Sequence, residues 1–333
     1  MLNSKLPKIV YLFGAGATHA EIVNLRKDLS ERFLKENGLL INNVSKRVIE
    51  EAQRKPRYLK GIKMVSSAEG SLNIELLISL IEKNRIPGLE GKTQYLKELI
   101  QKDITGKLSG YRLKRFYLHK ALLELHQKID KEKLLGIISL NYDRVLDEAY
   151  KTMNNGNEPN YCFCSEQCEE FPLLKLHGSF NWENIKIHGR KKTVPIIPFG
   201  IDKNYLQSPY SFIWGRALEI LTDCDILRII GCSLNQNDVG LIDLLFKAHL
   251  DKGKPFEIQI IDFQEVGETI KENYGFFPEI IKPKDIERAL IASEEIYYKK
   301  NPGGNPFKIW LKAKGMKMLK DKIKKTQYLK KVL

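Results

Sequence analysis

The stretch KIVYLFGAGATHA, residues 8–20, runs a β-branched and aromatic apolar segment straight into a glycine turn, and this junction decides the fold. The segment behind it, EIVNLRKDLSERFLKEN, spaces its apolar residues as a helix does, so the unit reads strand, glycine turn, helix. Short apolar runs then alternate with helical patterns from LLGIISL (134–140) through YDRVLDEAYKTM, LLKLHG, TVPIIPFG, SPYSFIWGRALEILTD, DILRIIG (225–231) and DVGLIDLLFKAHL to FEIQIIDF (256–263). Such runs, apolar throughout, belong to strands covered on both faces. The expected fold class is α/β: a doubly wound, Rossmann-like, mostly parallel sheet.

Residues 40–130 change character. SLNIELLISLIEKN, TQYLKELIQKD and YRLKRFYLHKALLELHQKI read as amphipathic helices with no strand between them, which predicts an inserted helical module. The expected organisation is a sheet domain from 1–39 and 131–265, the module at 40–130, and a helical C-terminal extension at 266–333. NPGGNP (301–306) breaks the chain before a basic tail.

Composition narrows the class. The 333 residues are 43% hydrophobic and 29% charged, ordinary values for a packed globular chain, and no apolar run approaches a membrane span. Lys5 and Lys8 before the first apolar run mimic a secretory signal, but two glycines interrupt that run, and it is read as a buried first strand of a cytoplasmic protein. Five cysteines, an odd number, suit the same compartment. The net charge of +14 is concentrated in residues 299–333, where 12 lysines face one acid, Asp321, for a net +11. That tail is either a contact for nucleic acid or a solvated helix face; lysines without interleaved arginine make a poor base reader.

In an open parallel sheet a ligand lies beyond the carboxyl ends of the strands. Five polar ends line up there: Gly14, Ala15, Gly16, Ala17 and Thr18 after the first strand, Asn141 and Asp143 after the second, His177 and Gly178 after the third, GCSLNQND after a later one, and Asp262 after the last. GAGAT permits close backbone approach to a phosphate at a helix N-terminus, or is simply a tight turn; His19 stands where the dinucleotide fingerprint of dehydrogenases wants its third small residue. Asn141 and Asp143, two apart, share a side of an extended segment, although Asp143 could equally cap the next helix. His177 ends an apolar run, as structural histidines do, but the neighbouring Gly178 leaves room for a substrate against the backbone.

GAGAT, SLNYD, LHGS and IGCSLNQND, in this order, resemble the motifs of the sirtuin family over residues 8 to about 263. The resemblance implies NAD as substrate, His177 as the base facing the nicotinamide ribose, Asn141 positioning water or ribose, and Asp143 holding the carboxamide. It further implies that Gly231 and Ser233 contact the adenosine side, with Asn235 near the ribose and Asp262 a lesser candidate at the last strand end. Two departures choose the branch: Leu140 replaces a glutamine, and no pair of cysteines follows His177, where protein deacetylases carry a zinc ribbon. Cys162, Cys164 and Cys168 precede it with no usual zinc spacing, so no metal is expected. The chain resembles instead the sirtuin-like NAD hydrolases of bacterial anti-phage defence. This narrower resemblance implies an NAD+ glycohydrolase held inactive by homo-oligomerisation or by a partner such as a helicase-type ATPase. The competing expectations are an NAD- or ADP-ribose-binding regulator with a nucleic-acid-contacting tail, and a divergent deacylase or ADP-ribosyltransferase.

Overall fold

The computed structural model describes residues 6–25, 33, 36–66, 72–109, 119, 123, 132–164, 171–184, 195–197, 208–235, 238–253, 257–261 and 270. Its five strands, β1 (Lys8–Phe13), β2 (Lys133–Ser139), β3 (Leu173–Lys175), β4 (Ile226–Ile230) and β5 (Glu257–Ile261), form one parallel sheet in the order β3-β2-β1-β4-β5. The chain builds outward from β1 on one side, then returns to add β4 and β5 on the other. This is the doubly wound, Rossmann-like order, and its switch point lies between β1 and β4.

These are the five strands whose ends were expected to line a crevice. TVPIIPFG is different: its described part, Pro195–Ile197, makes an isolated antiparallel bridge from Ile196 to Gly178 and joins no ladder. Pro195 has no N–H to donate, which suits a crossing segment and not a central strand.

Helix α1 (Ala15–Leu25) starts one residue after Gly14, so the turn is shorter than the sequence suggested and the first helical turn is itself AGAT. Between α1 and β2 the described residues include four bounded helices, α2 (Ile41–Ala52), α3 (Pro56–Val65), α4 (Ile74–Glu82) and α5 (Thr93–Ser109), and no strand. Two of them, α2 and α3, were not singled out in the sequence. Val44, Val48 and Ala52 line one face of α2, and Leu96, Ile100, Ile104 and Leu108 line one face of α5, the four-residue spacing that buries a single stripe. Asn73 accepts a hydrogen bond from Glu75 N and caps α4.

These helices share a core with Tyr142, Val145, Phe180 and Ile196, so the module sits against the carboxyl end of β2 and the segment after β3. The second core packs the sheet against α6 (Val145–Met153), α7 (Tyr210–Asp223) and α8 (Val239–Lys252).

One buried row within the sheet is polar. Tyr11, Arg228 and Gln259 are register partners across β1, β4 and β5, and the Arg228 guanidinium forks onto Glu132 at 2.8 and 2.7 Å while donating to Gln259 at 2.6 Å and Tyr11 at 3.1 Å. Taking both charges out of water is costly, and this two-pronged geometry is what offsets it.

The helix expected over 111–129 is described only at His119, which stacks on Phe13, and at Leu123; both are buried. Asp262, Cys168 and the basic tail lie outside the described residues. No helix among the described residues is long and apolar enough to cross a membrane.

Candidate functional site

The turn after β1 meets the turn after β4 at the switch point. Gly14 N–H donates to Ile230 O at 3.0 Å, and Gly16 N–H donates to Gly231 O at 2.8 Å. A Cβ on Gly14 would lie 2.5 Å from Cys232 Cβ, and one on Gly16 would lie 2.7 Å from Gly231 O. Both glycines are therefore required by backbone packed on backbone. The close approach that the sequence assigned to a phosphate is made by the chain's own β4 end. Ala15 is exposed and Gly16 half-buried, while Ala17 and Thr18 are buried.

Thr18 links the first two strand ends. Asn141 Nδ2 donates to Gly14 O at 2.9 Å and to Thr18 Oγ1 at 3.1 Å, and Thr18 Oγ1 donates to Asp143 Oδ2 at 3.0 Å. The direction of this chain is forced. A carbonyl can only accept and an ionised carboxylate can only accept, so the Asn141 nitrogen faces Gly14 and the threonine proton faces Asp143. Asn141 Oδ1 is consequently turned away and buried, with no hydrogen-bond partner among the described residues. A buried acceptor left unmet costs on the order of 1–3 kcal/mol, which makes it an uncommon feature of a folded protein.

Asp143 serves twice. Its Oδ1 accepts from Val145 N at 2.9 Å, opening α6, while Oδ2 takes the Thr18 hydroxyl. Asp143 thus bonds the first amide of α6 from one position ahead of the cap residue, Arg144, and the same carboxylate shares Thr18 with Asn141.

Tyr142, between them, points the other way. Its hydroxyl donates to Glu75 Oε1 of α4 at 2.9 Å. Burial, followed by the charge of Glu75 and that hydrogen bond, holds the phenol far above its ordinary pKa. The Tyr142 carbonyl accepts from Phe180 N at 3.0 Å and Ser179 Oγ at 3.3 Å, so the HGSF segment is tied to the SLNYD turn.

His177 is wholly buried, its Nε2 2.8 Å from Asp238 Oδ2, with the Trp214 ring centred 6.2 Å away. Asp238 also caps α8, its Oδ1 accepting from Leu241 N at 3.3 Å. Gly178 has φ +83°, and a Cβ there would fall 2.0 Å from Pro195 O. Its missing side chain accommodates the 195–197 crossing. Gly231 is buried against Ala17, Ser233 is exposed and Asn235 is half-buried.

Sequence reasoning missed three residues here. Asp238 carried a signal, an aspartate just ahead of an apolar helical run. Lys175 stood unexamined inside LLKLHG; it is fully buried, donating to Asp147 Oδ2 at 2.9 Å and to the Asp143 carbonyl at 2.5 Å. Glu75 meets Tyr142 across 67 positions and had no local signal. Of the described cysteines, Cys162 is disulfide-bonded while Cys164, Cys224 and Cys232 are thiols. No cluster of three potential metal ligands occurs among the described residues.

No protein-family model matches the chain. No curated protein matches it either. Among solved structures, a Sir2–p53 peptide–NAD+ complex is similar over 87% of this chain and 94% of its own, at 12% identity and a TM-score of 0.38. A Sir2 homologue–NAD complex gives 89%, 91%, 12% and 0.36, and a structure described as the basis for the mechanism and regulation of Sir2 enzymes gives 90%, 94%, 13% and 0.34. Likeness this loose transfers no residue roles, and the α/β fold stands on the strand order itself.

Proposed function

We propose that the protein binds NAD across the β1–β4 switch point and hydrolyses its nicotinamide–ribose bond, releasing nicotinamide and ADP-ribose. The observation that carries this reading is Asn141 Oδ1: a buried acceptor, locked in orientation by Gly14 and Thr18, at the strand end where an open parallel sheet receives its ligand. Such an atom orients a water or a ribose hydroxyl, either of which has a proton to donate.

The C1′–N bond breaks with its electron pair passing to the pyridinium nitrogen, which becomes neutral nicotinamide. The ribose left behind is oxocarbenium-like, and carboxylates stabilise such a centre. Asp143 and Asp238 both end up buried along this edge of the sheet. Water held by Asn141 then adds its oxygen to C1′ and gives up a proton to solvent, while His177 polarises a ribose hydroxyl. The sirtuin-like motifs without a cysteine pair after His177, together with the inserted helices, support reading the chain as an NAD-depleting effector against phage, restrained by self-assembly or a partner.

The test is to incubate purified protein with NAD and follow nicotinamide and ADP-ribose by chromatography, beside Asn141→Ala and His177→Ala. Equimolar release by the parent, lost in both variants while their melting temperatures hold, supports the reading. An unchanged rate in both variants refutes it. Consumption only in the presence of an acylated peptide or a protein acceptor would move the assignment to a deacylase or transferase.

A further inference from the structure

Asp238 reaches His177 from a different strand end, 61 positions later in the chain, and the reach is made from a fixed base. Its backbone is closed into a turn by Asp238 N–H donating to Asn235 O at 2.9 Å, and its carbonyl accepts from Ile242 N at 3.1 Å. Its two carboxylate oxygens are divided: Oδ1 faces the Leu241 N–H of α8 and Oδ2 faces the histidine ring. Both partners are buried to within about one per cent, so water does not compete for either oxygen.

We infer that Asp238 is the positioning residue of His177, fixing the neutral ring with its proton on Nε2 and making Nδ1 the ring's acceptor atom. An ionised carboxylate can only accept, so the ring nitrogen facing it must carry a hydrogen. The other nitrogen then holds the lone pair that a base needs. The inference rests on the reading of His177 as the ribose-facing base, and it adds where that base comes from. The segment GCSLNQND, assigned to the adenosine side of NAD, also holds the histidine that acts on the nicotinamide side.

The helix cap makes the idea unusually easy to challenge. In Asp238→Asn the Leu241 N–H, which can only donate, keeps the amide oxygen on α8 and turns the amide NH2 toward His177. The ring must then accept at Nε2 and carry its proton on Nδ1. The substitution conserves shape and cap while reversing the tautomer. The groups around the pair do not change with it: Tyr142, whose phenol is held protonated by burial and by the charges of Glu75 and Asp238, Tyr210 beside it, and the Trp214 indole.

The experiment has two arms. The first reads the tautomer directly, by nitrogen NMR of histidine-labelled protein well above the ordinary imidazole pKa, with His177→Gln identifying the signal among the six histidines. The expected result is an Nε2-protonated ring in the parent and an Nδ1-protonated ring in Asp238→Asn; the same tautomer in both overturns the inference. The second arm measures NAD turnover. Asp238→Asn is expected to lower kcat by about 10²–10⁴-fold, the range of a lost general base, with KM and melting temperature nearly unchanged. Asp238→Ser, which keeps a capping oxygen but cannot reach the ring, is expected to lose activity likewise. Full kcat in both variants overturns the inference. A parent that leaves NAD intact would refute the hydrolase reading alone, because the tautomer arm needs no turnover.

Discussion

Acid should weaken this fold through one histidine. His19 stands in the first turns of α1, and its Nδ1 accepts a hydrogen bond from Leu39 N at 3.2 Å, joining α1 to the entry of the helical module. Burial pulls its pKa down to about 4 from the ordinary 6.5. A folded-state value below the unfolded one means the unfolded chain takes up the proton first. Stability from this group is therefore complete above about pH 6.5 and is lost as pH falls toward 4. Linkage over that gap gives a loss of roughly 3 kcal/mol in full, and about 2 kcal/mol between pH 7 and pH 5, where most carboxylates remain charged. The geometry agrees in sign, since a protonated Nδ1 cannot accept from Leu39. The assay is urea unfolding at the two pH values for the parent and for His19→Asn, whose side-chain oxygen can take the Nδ1 position without titrating. The parent should lose about 2 kcal/mol more than the variant on acidification. Equal losses in both would refute the reasoning.

Two further outcomes are expected from the buried networks. Glu132→Ala leaves the Arg228 guanidinium buried without its carboxylate, and denaturant unfolding should register a loss of about 3–5 kcal/mol; a loss below about 1 kcal/mol would mean that water reaches the pair. Thr18→Val keeps the shape but removes the hydroxyl between Asn141 and Asp143, which should lower stability by about 1–3 kcal/mol and NAD turnover by roughly 10²-fold, read by unfolding and by chromatography of nicotinamide.

The sheet was legible because each of its strands is a short apolar run with a polar or glycine end, and strands covered on both faces have little freedom to look otherwise. The exception, TVPIIPFG, has the same apolar content but carries a proline where a ladder needs a donor. Asn141, Asp143 and His177 were legible as strand ends; what each one holds was not, because hydrogen-bond partners lie up to 127 positions apart and leave no local pattern. Asp238 shows the limit well. An aspartate ahead of VGLIDLLF announces a helix cap, and only the packed fold discloses that its second oxygen is spent on His177. Glycine signals close approach without saying what approaches, and at positions 14, 16 and 178 the chain's own backbone comes close.

Asn141, Tyr142 and Asp143 turn two side chains onto Thr18 and the third against Glu75. A protein engineer wishing to transplant this strand end into a smaller scaffold cannot lift it out by Asn141 and Asp143 alone. Without α4 the buried Tyr142 phenol would lose its carboxylate acceptor and keep only the long contact to Ile197 O at 3.4 Å. The smallest portable unit therefore spans two distant pieces of chain, and residues 75 and 142 would have to be redesigned as one.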